Sequence, residues 1–129
     1  MLGDLIGEFK GKNTVYRVLS DGKIETSGQG AGKFLGTDAF VMFTNVSVTM
    51  PNGVNVGETN SVISTLEGDS VIMKGNGVAY PSGKGGTSRG ASTQMSQSQK
   101  LLRLNKVICL HEYETDMENN WVGKIWEWI

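Results

Sequence analysis

The apolar positions of this chain fall into eight short segments separated by polar, turn-forming breaks. Asp21-Gly22, Gly36-Thr37-Asp38, Pro51-Asn52-Gly53, Glu67-Gly68-Asp69, the glycine-rich run Pro81 to Gly86, Gln97 to Lys100 and Met117 to Asn120 mark those breaks, at intervals of 14 to 20 residues. Asp-Gly and Pro-Asn-Gly are turn signals because glycine accepts positive φ and proline presets the preceding corner. Both prolines are expected in breaks, since proline cannot donate to a β-ladder. Between the breaks the segments read as strands. Ala39 to Met50 carries Phe, Val, Thr and Met with no helix-favouring pattern, and Val54 to Leu66 is rich in Val, Thr and Ser. Val71 to Tyr80 holds Gly75 and Gly77, each of which would cost a helix about 1 kcal/mol. Leu101 to Glu114 is ambiguous: Leu101, Leu102, Leu104 and Ile108 suit a helix, while Val107 to Tyr113 alternates in part. It is read as a strand.

Eight strands joined by short turns form an up-and-down meander. Left open, such a sheet exposes two long edges that invite aggregation, and closure into a barrel removes them. A sandwich would show less even, Greek-key connections. The fold expected is therefore all-β: a closed eight-stranded antiparallel up-and-down barrel, one domain over residues 1–129. Glycine supports closure. Gly28, Gly30 and Gly32 lie on one face of a strand, as do Gly75 and Gly77, where turn chemistry has no need of them. Strand coiling explains glycine there, and so does close approach of a ligand or a second backbone.

Composition narrows the function. With 12 Lys+Arg against 13 Asp+Glu, a net charge of −1 and pI ≈ 5.8, there is no electrostatic footprint for nucleic acid or an anionic membrane. The longest apolar run, Ala39 to Phe43, is far too short to span a bilayer as a helix. No signal peptide is visible, and the single cysteine fits a reducing, cytoplasmic setting. One His and one Cys do not make a zinc site, so no metal and no cofactor is expected. Haem ligation by His111 and nucleophilic chemistry at Cys109, which sits in an apolar run, are both weaker than core roles. Gly86-Thr87-Ser88-Arg89-Gly90 matches the string of a nucleophile elbow, but lacks the helix that should follow it. Asn45-Val46-Ser47 matches a glycosylation triplet but lies within a strand. The segment Gly83 to Gly90 reads either as an ordered turn or as a mobile lid.

Ionisable residues within strands or near their ends are the stronger candidates: Arg17, Glu25, Glu58, Arg89, Glu112, Glu114 and Glu127. If Gly28, Gly30 and Gly32 face inward, Glu25 faces outward. If Val41 and Phe43 face inward, so does Asn45, with Met42, Thr44 and Val46 on the other side. Both wall faces are thus partly apolar, and charged residues make up only 19% of the chain, which favours a homo-oligomer. Cys109, His111 and Tyr113 share one face. Trp126 and Trp128 share another, opposite Ile125 and Glu127, and either close the barrel or line a pocket for an apolar ligand.

Arg17-Val18-Leu19, Gly22 to Ser27, Gly30-Ala31-Gly32 with Gly36, Gly75-Asn76-Gly77, Leu104-Asn105, Glu112 and Trp126-Glu127-Trp128 resemble a family of small uncharacterised β-barrel proteins. These are similar in build to the allene oxide cyclase barrel and the lipocalin-like calycins. The resemblance implies a closed, often self-associated barrel with a cavity, and no cyclase residue maps onto the chain. The expected function is binding of a small apolar molecule in the barrel, with Arg17, Arg89, His111, Tyr113, Trp126 and Trp128 as ligand-binding candidates. The alternatives are an isomerase or cyclase of a lipid-like substrate, with Glu25, Glu58 or Glu112 as acid–base group, and a packed barrel acting through its oligomeric surface.

Overall fold

The structure is a computed structural model that describes residues 2–129. Eight strands run in order: β1 Leu2–Val18, β2 Ile24–Phe34, β3 Thr37–Thr49, β4 Asn55–Thr65, β5 Ser70–Ser82, β6 Gly85–Met95, β7 Ile108–Thr115 and β8 Asn120–Trp128. Each pairs antiparallel with the next, and β8 returns to β1, so the meander closes into a barrel. The strand β1 is long enough to pair with both neighbours, and its register shifts at Asn13/Val15 on the β2 side and near Leu5 on the β8 side. Such bulges bend a strand and raise its local twist, which closure requires.

The segment Leu101 to Glu114 departs from the strand expected of it. Gln99–Lys106 is a 3-10 helix, and β7 begins only at Ile108. Leu101 and Leu104, three residues apart, stack on one side of the helix, as that geometry dictates, and both are buried. Asn105 clamps the helix by accepting from Ser96 N at 2.8 Å and donating to Ser96 O at 3.1 Å. Burial of the two leucines contributes about 1.5–3 kcal/mol each, more than the strand preference of their neighbours. Pro81 also departs from expectation: it lies inside β5, opposite Gly86, and the turn proper is Gly83-Lys84. Gly85 to Gly90 belongs to β6, so that stretch is paired strand and not a lid.

The helix plugs one end of the barrel. Leu101 and Leu104 join Ile6, Phe9, Phe34, Ile63, Val71, Cys109 and Ile125 in one buried cluster at that end. The other end, ringed by the turns after β1, β3, β5 and β7, carries no helix among the described residues. A barrel stoppered at one end holds space only towards the other. No helix among the described residues is long and apolar enough to cross a membrane.

Candidate functional site

The space left above the plug is a cavity of about 270 Å³, entered from the open end. Strand alternation decides what lines it. Inward positions are Phe43 and Asn45 on β3, Thr59 and Ser61 on β4, Met73 and Gly75 on β5, Ser88 and Ser92 on β6, His111 and Tyr113 on β7, and Trp121 on β8. The walls near the mouth are neutral polar groups already bonded to one another: Asn45 Nδ2 donates to Thr59 Oγ1 at 2.7 Å, and Asn13 Nδ2 to Tyr16 Oη at 3.2 Å.

The floor is aromatic. Trp121 meets Tyr113 and Phe43 edge-on, with ring centroids 5.5 and 5.7 Å apart, and Tyr113 stacks on His111 at 6.2 Å. Glycine gives these rings their room. A Cβ on Gly28 would sit 2.7 Å from Phe43, one on Gly30 2.8 Å from Trp121, and one on Gly123 inside contact distance of the Tyr113 ring. The same-face glycines of β2 therefore serve close approach, of the neighbouring β1 backbone and of aromatic rings together. The indole Nε1 of Trp121 is sealed in this packing and has no hydrogen-bond partner among the described residues.

A relay of hydrogen bonds orients His111. The amide nitrogen of Gln94 donates to Leu104 O (3.2 Å) and Val107 O (2.7 Å), which fixes its oxygen toward Ser92. Ser92 Oγ then spends its one proton on Gln94 Oε1 at 2.6 Å, so it accepts from His111 Nε2, also at 2.6 Å. His111 is thereby the Nε2–H tautomer. Burial lowers its pKa to about 4, so the ring is neutral at pH 7. The polarity of the relay is opposite to that of a nucleophilic serine, whose proton must pass to histidine. Burial likewise pushes Tyr113 up to about 12 and, as the larger of two upward effects, Cys109 to about 12, leaving a neutral phenol and an inert thiol.

Of the residues singled out in the sequence, His111 and Tyr113 stand in the cavity. Arg89 borders it, but its guanidinium lies 3.8 Å from Glu112 on the outer wall, and Arg17 pairs with Glu25 at 3.1 Å, also outside. Glu58 alternates with inward Gly57 and Thr59 and is exposed. Trp126 and Trp128 alternate with buried Trp121, Gly123 and Ile125, so they lie on the outer face, where they pair with Leu5 and Leu2 of β1. Their partner in parity, Lys124, is the signal that marks this face as outer. Glu127 obscured it by facing inward, where Arg103 of the helix meets it at the plugged end. Trp121, Phe43 and Ser92, with Gln94 behind Ser92, are the groups of the site that sequence reasoning did not single out. No group of three or more His, Cys, Asp or Glu among the described residues is placed to hold a metal.

No protein-family profile and no curated protein matches the chain in sequence. Solved structures do match its fold. A conserved protein of unknown function from Rhodopseudomonas palustris aligns with TM-score 0.80 and 12% identity, over 98% of this chain and 97% of that one. A protein of unknown function from Clostridium acetobutylicum aligns with TM-score 0.82 and 11% identity, over 96% of both. A β-barrel-like protein from Acinetobacter baumannii aligns with TM-score 0.77 and 11% identity, over 98% and 94%. At these identities the likeness shows a shared architecture: this chain has the fold of small β-barrel proteins whose function is unknown.

Proposed function

We propose that this protein is a non-enzymatic barrel that takes a small, mostly apolar molecule through its open end. The observation that carries the reading is a cavity stoppered at one end, open at the other, and floored by four rings, Phe43, His111, Tyr113 and Trp121. The lipocalin-like side of the sequence resemblance agrees, since eight-stranded barrels of that kind hold one small ligand. The cyclase alternative needs an acid–base carboxylate inside, whereas Glu25, Glu58 and Glu112 project from the outer wall and no Asp or Glu is among the described cavity residues. The test uses 1-naphthylamine, a neutral two-ring dye whose emission moves to the blue in apolar sites. Saturable binding of one dye per chain is expected, with its loss in Ser61→Phe, which puts a ring in the bore while circular dichroism stays unchanged. Absence of saturable binding, or equal binding by the well-folded variant, would overturn the reading.

A separate observation favours self-association. Met42, Val62, Ile72 and Met95 stand opposite one another across β3 to β6 on the outer wall, and each is 39–63% exposed. An apolar row across four strands is what a second copy of the chain would cover, and a net charge of −1 opposes association little. Sedimentation velocity should find an oligomer that Ile72→Lys dissociates; a monomer at all concentrations would contradict it.

A further inference from the structure

We propose that the ligand of this cavity is an uncharged, flat, one- or two-ring molecule that carries a hydrogen-bond donor and gives that donor to His111 Nδ1. This rests on the reading of the cavity as a ligand site and adds the ligand's chemistry.

Three independent features converge on it. The first is charge. The described lining residues on Phe43, Asn45, Thr59, Ser61, Ser88 and their neighbours are neutral, and the one formal charge at the wall, Arg89, reaches out to Glu112. An ionised ligand would enter a desolvated floor with no counter-charge, which is costly. The second is shape and size. The floor rings make a box of edge-on and stacked faces, the arrangement in which aromatic groups contact one another best. A cavity of about 150 Å³ holds one benzene ring, so one of 270 Å³ takes about ten or eleven non-hydrogen atoms.

The third feature is the polar handle. The two candidate groups on the floor differ in reach. Trp121 Nε1 is sealed within the packing, out of contact with the open space. His111 Nδ1 also has no partner among the described residues, yet it is not among the sealed atoms, and its ring lines the cavity. The relay from Leu104 O and Val107 O through Gln94 and Ser92 commits the imidazole proton to Nε2, leaving a lone pair on Nδ1. A lone pair held in place by four prior hydrogen bonds is an acceptor of fixed direction. It selects a donor, a phenolic O–H or a ring N–H, and it rejects an isostere that offers only another lone pair.

The test is calorimetric titration of the wild-type protein at neutral pH with a matched set of probes: naphthol, its methyl ether and naphthoate. Naphthol has the right size, no charge and one donor. The ether loses the donor, and naphthoate adds the charge. Naphthol is expected to bind one per chain, the ether about tenfold more weakly, and naphthoate at least as weakly as the ether. His111→Phe should bring naphthol and ether to equal affinity. Binding in which the ether matches naphthol, or naphthoate exceeds both, would overturn this inference while leaving the cavity a ligand site. Failure of all three probes, together with failure of the neutral dye, would instead remove the cavity as a ligand site altogether.

Discussion

Acidification from about pH 7.5 to about pH 5 should weaken this protein through one side chain. His111 is the single histidine of the chain, and burial holds its folded pKa near 4, against an ordinary value of 6.5. The titratable neighbour, Tyr113, is a neutral phenol held up to about 12 by burial and contributes no charge. Between the two histidine values the unfolded chain binds a proton that the folded one refuses. Stability is therefore complete above the unfolded value, falls as the pH drops through the window, and stops falling near the folded value. For that shift the loss reaches about 2 kcal/mol by pH 5, a sizeable share of the about 5–15 kcal/mol that holds a typical domain together. Carboxylates titrate mostly below this window, so the slope belongs to His111. Urea unfolding at both pH values measures the difference, and the ring-proton NMR titration of His111 measures the folded pKa. His111→Gln, which keeps a polar side chain but loses the titration, should flatten the slope. A change below about 0.5 kcal/mol, or a folded pKa near 6.5, would refute the burial and tautomer assigned to this ring.

Two further outcomes follow from the same packing. Gly123→Ala puts a methyl group into the Tyr113 ring, and should destabilise the fold by about 1–3 kcal/mol, read as a lowered Tm; an unchanged Tm would mean that the floor rings repack freely. Gln94→Leu strands Leu104 O, Val107 O and the Ser92 hydroxyl, and should cost about 2–3 kcal/mol while speeding amide exchange across Gln99–Lys106; exchange at the wild-type rate would show that the helix is held without that relay.

The barrel was legible in the sequence because its evidence is local. Turn dipeptides repeat at nearly constant intervals, and each hairpin reports its own chemistry in Asp21-Gly22 or Pro51-Asn52-Gly53. The parity of β2 and β3 was legible for the same reason: Gly28 and Gly30 face inward, and Asn45 follows Val41 and Phe43 into the bore. What resisted reading depends on partners far away in sequence. The plug helix exists because Gln94, Ser96 and the core hold Leu101, Leu104 and Asn105, and nothing in residues 99–106 alone overrides their ambiguity. Glu127 faces inward by alternation with Ile125, and the Arg103 that pairs with its carboxylate there comes from that helix, so the residues of β8 alone do not place Trp126 and Trp128 outside. The proton relay to His111 joins β6, β7 and the helix end. No spacing along the chain encodes it.

The three tryptophans make the central claim directly measurable, since one floors the cavity and two lie outside it. In a ¹H–¹⁵N spectrum each indole N–H gives its own signal, assigned by single Trp→Phe variants. On titration with naphthol the Trp121 signal should shift and saturate, while those of Trp126 and Trp128 stay in place. Movement of the Trp126 or Trp128 signal with Trp121 unchanged would put the ligand on the outer wall and rule out the cavity as its site.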